Sequence, residues 1–315
     1  MLVQEAQQHG AAAVQAAHGA AEKFDAGEVI IHHVANSSLD EPLIRLPTIL
    51  GIDFSVTKHV FMLWLVAATV FVVITWVVRR YLKQDRLIPT GLMNGLEAVV
   101  EFIRDDIVQP NVGSKWVKTW APLILTFFFF ILGANAIGLI PIFDVLGLLD
   151  HYVLHTSETS FVKHVMHGGT TATGNFNVTA ALATITFGAI IVAGSKAHGV
   201  VKHWMNLVPH GLAWPIYILL IPIEIMGMFV RPFALTMRLA ANMTGGHIAI
   251  LAILSFAFLF AELFGSVAGT AVGLASAVLL AVPMSGLEII VVLVQAYVFT
   301  LLTAVFIGMA IHVHH

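Results

Sequence analysis

The 315-residue chain is 58% hydrophobic and 10% charged, whereas soluble domains carry about 25% charged residues. The formal net charge of −3 gives no indication of nucleic-acid binding, and the absence of cysteine excludes disulfides, thiolate nucleophiles and cysteine-ligated metals. We therefore expect an integral membrane protein.

Residues 1–58 form the first predicted region, a polar N-terminal tail outside the cytoplasm. The stretch 1–41 has no basic segment followed by an apolar core, so it does not resemble a signal peptide. Its histidines are most simply explained as solvated surface residues. The rest of the chain, residues 59–315, is predicted to form a single membrane domain.

An uncharged run at 60–78 predicts the first transmembrane helix, because its length approaches the ~20 residues that cross a bilayer. Four basic residues follow between positions 79 and 86, which places this end in the cytoplasm. Residues 92–108 mix apolar side chains with five charged ones. This mixture predicts an amphipathic helix lying on the cytoplasmic membrane surface.

Four further apolar runs predict transmembrane helices at 119–143, 178–194, 213–260 and 271–311, of which the first two are uncharged. The last two would be roughly 60–70 Å long as straight helices, against a hydrocarbon core of about 30 Å. We expect them to be steeply tilted, broken or partly outside the bilayer. The sequence therefore predicts an all-α membrane protein with about five transmembrane helices and one surface helix, the last two spans forming a hairpin.

A polar loop at 150–177 separates the second and third predicted spans. Its single lysine suits the outer side of the membrane. The spacing of its histidines matches no firm ligand pattern, so we predict no metal site. These histidines are His151, His155, His164 and His167.

The stretch 224–247, EIMGMFVRPFALTMRLAANMTGGH, carries unusual charges for an apolar segment. Glu224, Arg231 and Arg238 are seven residues apart in each step, so they share a stripe that drifts only ~20° per heptad. Asn242 follows Arg238 by four residues and joins that stripe. On the last predicted span a second stripe carries Glu288 and Gln295, also seven apart.

Two interpretations of these stripes remain open on spacing alone. One is a buried salt bridge that fixes helix packing, for example between Arg238 and Glu288. The other is ion movement, because an arginine at the bilayer centre costs roughly 2.5–3.5 kcal/mol and such residues are usually functional. Arginine keeps its proton, whereas glutamate and histidine can exchange theirs. The combination indicates wet access routes interrupted by a permanent cation.

The sequence resembles the subunit a family of F-type ATP synthases, the stator channel protein of the membrane sector. The resemblance covers about residue 89 to the C-terminus and is carried by IEIMGMFVRPFALTMRLAANMTGGH at 223–247, NAIGLIP at 135–141 and EIIVVLVQAYVFTLL at 288–302. It implies a hairpin packed against the ring of c subunits (the c-ring), a peripheral-stalk subunit b, other ATP synthase subunits and membrane lipid as partners. It implies no cofactor, and ATP chemistry would occur on other subunits.

The resemblance also implies roles for individual residues. Arg238 matches an essential arginine that faces the c-ring and blocks a proton short circuit between two half-channels. Glu224 matches an acid of the inner half-channel, and Arg231 falls at a second basic position, where a snorkelling interfacial cation is the simpler explanation. The outer half-channel is implied for Asn242, His247, Glu288 and Gln295.

The chain departs from compact family members between His247 and Glu288, where the hairpin connection is longer. Glu262 lies in this connection and has no secure counterpart, so we expect it to be an outer-surface acid. We expect a bacterial plasma membrane, with an organellar inner membrane as the alternative. The sequence leaves the coupling ion open between H⁺ and Na⁺.

Two other functional classes remain as alternatives to this resemblance. A proton- or sodium-coupled secondary transporter could use the same intramembrane charges, but it usually has repeated halves, and none is evident. A haem- or quinone-binding anchor needs histidines paired within the bilayer. His247 alone is placed firmly inside a predicted span, which makes this class weak.

Overall fold

The computed structural model describes residues 42, 44–48, 53, 55–83, 88–139, 171–205, 214–265 and 267–312. The histidines of the predicted 150–177 loop and most of the N-terminal tail lie outside these residues. Within the described ranges the chain is helical, without a β-strand, and an isolated antiparallel bridge joins Ile44 to Val56. The α-helices are α1 (Lys58–Leu82), α2 (Leu92–Glu101), α3 (Gln109–Val112), α4 (Val117–Leu139), α5 (Phe176–His198), α6 (Val200–Met205), α7 (Trp214–Phe264) and α8 (Ala268–Ile311).

Five of the described helices are long and apolar enough to cross a membrane, namely α1, α4, α5, α7 and α8. Their apolar composition explains this, since a spanning helix must satisfy every backbone polar group internally and present hydrocarbon to lipid. The predicted all-α integral membrane class with five spanning helices is confirmed.

The predicted surface helix begins at Leu92 and continues beyond its predicted end at 108. A π-helical segment, Phe102–Val108, joins α2 to α3, and Gly113 follows α3 with a φ of 83°. Ile103 and Ile107 are buried, whereas Arg104 is exposed and pairs with Asp105 at 2.7 Å. The apolar face therefore packs inward and the charged face is left for water.

The last two helices are unusually long, at 51 residues for α7 and 44 for α8. At 1.5 Å per residue they extend about 77 and 66 Å, more than twice the hydrocarbon thickness. Three internal prolines (Pro222, Pro232 and Pro283) do not interrupt them. Of the three expectations, a broken helix is therefore wrong, and tilt or protrusion remains the prediction.

The chain divides into two compact units. The described part of one unit lies within Ile248–Met284, which contains the C-terminal part of α7, the N-terminal part of α8 and Gly265, whose φ is 89°. Phe256, Phe260 and Phe264 follow one another along α7 in this unit, with ring centroids 6.3 and 5.8 Å apart. Glu262 is exposed there.

The larger unit comprises Asn36–His247 and Ser285–His315, and its core is built around α4. Phe127 of α4 meets Phe299 of α8 edge to face, with ring centroids 5.6 Å apart. A second cluster joins α1, α4 and the 3₁₀ turn Ala172–Gly174, in which Ala172 is buried beside Met62 and Val66. This packing fixes the turn at the end of α4.

Candidate functional site

Arg238 lies on α7 with its side chain exposed. Its neighbours Leu235 and Leu239 are buried, so an adjacent face of α7 is turned inward. The exposed face beside Arg238 is apolar and includes Phe233 and Met237. Among the described residues, no hydrogen bond or ion pair is formed by the Arg238 guanidinium. A lone cation therefore stands on an apolar outer surface.

The predicted alternative of a buried Arg238–Glu288 salt bridge is wrong. Glu288 is buried at 3% exposure and lies beside Gly246 of α7, where an added Cβ would be 2.9 Å from Oε1. Gly246 is eight residues beyond Arg238, which corresponds to about 12 Å along a helix. The two charges therefore sit at different levels of α7.

Asn242 and Gln295 link α7 to α8 one helical turn from Arg238. Nδ2 of Asn242 donates to Oε1 of Gln295 at 2.9 Å. Gln295 is buried, whereas Asn242 is exposed on the same side of α7 as Arg238. An amide pair keeps further donors and acceptors free for water or an incoming proton carrier.

His247 and Glu288 come together as the resemblance implied. Their charges are close enough to interact. Both carboxyl oxygens of Glu288 are buried without a hydrogen-bond partner among the described residues. An unpaired buried carboxylate is costly, so this group is suited to holding a proton and releasing it to a mobile partner.

A threonine-rich turn adds polar groups that the sequence analysis did not assign to the site. Thr171 Oγ1 lies 2.5 Å from Nε2 of His247, and Thr173 Oγ1 donates to Oδ1 of Asn135 at 2.5 Å. Thr171, Thr173 and Asn135 are all buried. The signal in the sequence is the run TTATGN at 170–175, which precedes an apolar helix and lies within the polar loop predicted at 150–177.

Glu224 and Arg231 lie away from this cluster. Glu224 is half-buried on α7, 14 residues before Arg238, which corresponds to about 21 Å along the helix. The guanidinium of Arg231 lies 5.8 Å from the ring centroid of Phe306 on α8, within cation–π range. Along α7, Glu224 and Arg231 therefore lie on the N-terminal side of Arg238. Asn242 and His247 lie on its C-terminal side.

Comparison with known proteins identifies the family. The family model for the ATP synthase A chain matches residues 60–308. "ATP synthase subunit a 2" of Chlorobium luteolum is 39% identical over 98% of this chain and 88% of its own length. "ATP synthase subunit a" of Pelodictyon phaeoclathratiforme is 39% identical over 95% and 80%, and that of Chloroherpeton thalassium is 38% identical over 92% and 77%. The chain therefore belongs to the ATP synthase A chain family and has the proton-channel stator role of the membrane sector.

Proposed function

We propose that Arg238 is the fixed cation that faces the c-ring and keeps two proton paths apart. The observation that carries this proposal is its exposed guanidinium on an apolar face of α7, without a partner among the described residues. Leaving that charge in hydrocarbon would cost roughly 2.5–3.5 kcal/mol or more. An acidic side chain presented by a ring subunit would offset this cost and would be held there only while ionised.

The outer half-channel is proposed to contain Asn242, His247, Glu288 and Gln295. His247 and Glu288 would exchange the proton, since both residue types titrate when their surroundings are tuned. Asn242, which donates to Gln295, lies between Arg238 and His247 along α7. A proton passing this amide pair would neutralise a ring carboxylate, and the neutral carboxyl could then face lipid.

The inner half-channel is proposed to open at Glu224. Glu224 lies about 21 Å from Arg238 along α7, which separates the inner half-channel from the outer one. A proton must therefore be carried between the two half-channels on a carboxyl group of the rotating c-ring. The membrane potential supplies about 2.3 kcal/mol per charge per 100 mV, which would drive the rotation in steps. Arg231 is assigned a supporting role, because its guanidinium stacks on Phe306 and holds α7 against α8.

The proposed partners are the c-ring, a peripheral-stalk subunit b and the other subunits of an ATP synthase. The proposed location is a bacterial plasma membrane, because the named relatives come from bacteria. We propose H⁺ as the coupling ion. The histidine in the outer pair supports this, since a histidine can carry a proton near neutral pH.

The test is ATP-driven acidification of inverted membrane vesicles that carry the intact complex with Arg238→Ala. We expect no acidification, together with preserved ATP hydrolysis after the catalytic head is detached. Arg231→Ala is the matched control, since it removes a second arginine from the same helix, and it should retain part of the pumping. Normal acidification by Arg238→Ala would refute the assignment.

A further inference from the structure

The hydroxyl group of Thr171 is in hydrogen-bonding contact with the imidazole of His247. The atoms Oγ1 and Nε2 are 2.5 Å apart, across 76 residues of sequence. Thr171 is 3% exposed and His247 is half-buried, so bulk water has limited access to this contact. A buried hydrogen bond to one ring nitrogen fixes the orientation of an imidazole.

Gly138 of α4 makes this approach possible. A Cβ at Gly138 would overlap the Oγ1, Cγ2 and Cβ atoms of Thr171. The missing side chain therefore provides the space that the threonine occupies. Because the χ1 angle of threonine is stiff, filling this space also limits where its hydroxyl can point.

A threonine hydroxyl suits a histidine that changes its protonation state. The hydroxyl can accept from a protonated Nε2 or donate to an unprotonated one, so it remains bonded in either state. Glu288 of α8 is an acidic side chain close enough to interact with His247. The turn and the end of α4 contribute the neutral groups Thr173 and Asn135. The hydroxyl of Thr171 can thus set the ring orientation without adding a competing charge.

We propose that Thr171 is a positioning residue for proton transfer, which holds His247 in the orientation that keeps its imidazole beside Glu288. This proposal rests on the proposed outer half-channel role of His247. It goes further because it assigns a hydroxyl from a distant turn, seated against Gly138, to the control of that histidine.

Among the described residues, Thr171 provides one of two side-chain hydrogen bonds between the turn region and α7, so a merely structural role must be distinguished from a positioning role. In the other hydrogen bond, Oγ1 of Thr244 donates to the carbonyl oxygen of Gly174 at 3.3 Å. It joins the same two segments but does not touch His247. Thr244→Ala is therefore a matched control that loosens the turn and leaves the imidazole bonded to Thr171.

The experiment measures ATP-driven acidification per assembled complex in inverted vesicles, with the lumen preset over about pH 5–9. The lumen corresponds to the outer side, which the His247 path serves. We expect Thr171→Ala to slow pumping by about threefold or more and to shift the pH midpoint by about half a unit or more. Thr171→Ser keeps the hydroxyl and should restore the wild-type profile, and Thr244→Ala should leave the midpoint unchanged.

Gly138→Ala provides a second route to the same result, since it displaces the hydroxyl without removing it. Gly138→Ala should reproduce the midpoint shift of Thr171→Ala. It tests the positioning role of Thr171 if the Thr171→Ala variant assembles poorly. An unchanged midpoint in Thr171→Ala or Gly138→Ala, or equal shifts in Thr171→Ala and Thr244→Ala, would overturn the positioning role. Glu288→Gln, measured in parallel, separates the two proposals, because normal pumping by that variant would remove Glu288 from the outer half-channel, whereas an unchanged midpoint in Thr171→Ala would overturn only the positioning role.

Discussion

Asn242 donates a hydrogen bond to Gln295 across the α7–α8 interface, one helical turn from the exposed Arg238. This contact joins the two polar stripes at one point of the path. A buried or half-buried hydrogen bond of this kind contributes about 0.5–1.5 kcal/mol. In the proposed outer half-channel, the side chains of Asn242 and Gln295 would therefore contribute jointly to proton transfer.

We expect Asn242→Leu and Gln295→Leu each to slow ATP-driven proton pumping. The double variant should be no slower than the worse single variant by more than about twofold, because either change breaks the shared hydrogen bond. Pumping rates per complex in inverted vesicles measure this coupling. Strictly multiplicative losses would show that the two amides act independently.

Glu288→Gln should reduce proton flux without necessarily abolishing it. The substitution keeps the shape of the side chain and removes its titratable proton, while His247 remains. Glu262→Gln is the control, since Glu262 is an exposed acid in the other compact unit and should pump at the wild-type rate. A wild-type rate for Glu288→Gln would remove this residue from the path.

Gly246→Ala should also slow pumping, because the new Cβ would lie 2.9 Å from Oε1 of Glu288 and the carboxyl group would have to move. Gly245→Ala makes the same chemical change one residue earlier, where a Cβ meets nothing within 4 Å. We expect a several-fold loss in the first variant and little change in the second, by the same vesicle assay. Equal rates in the two variants would argue that Glu288 tolerates displacement.

The C-terminal end of α5 should be sensitive to acid through His203 of α6. Burial, and then the nearby charge of His198, lower the pKa of His203 below its usual value of about 6.5. The unfolded chain therefore takes up this proton more readily, so the stability is complete above about pH 6.5 and falls as the pH drops below it. The melting temperature of the purified complex should fall less steeply with acid in His203→Gln than in the wild type. Identical pH dependence in the two proteins would contradict this account.

The sequence predicted the spanning helices because hydropathy is a local property that each run carries by itself. The resemblance also implied the pairing of His247 with Glu288, which the structure brings together, whereas the role of Arg238 stays a prediction. The alternative of an Arg238–Glu288 salt bridge, which the sequence left open, failed because the register between α7 and α8 depends on how the helices pack. Residue spacing along a single helix does not contain that register.

The contribution of the threonine turn to the site could not be predicted from the sequence for a similar reason. Thr171 meets His247 across 76 residues, and no periodicity links the two positions. The position of the turn depends on the packing of Ala172 against α1 and α4 and on the space left by the missing side chain at Gly138. Both contacts are formed only in the folded protein. The extension of the surface helix to Val112 through a π-helical segment was likewise not marked in the sequence.

The most direct test of the central claim is a structure of the assembled complex that resolves the surroundings of Arg238. The account predicts the guanidinium at the interface with the c-ring, within about 4 Å of a ring carboxylate or one water molecule away from it. A guanidinium that faces only lipid, or that is paired within its own chain far from any ring carboxylate, would contradict the account.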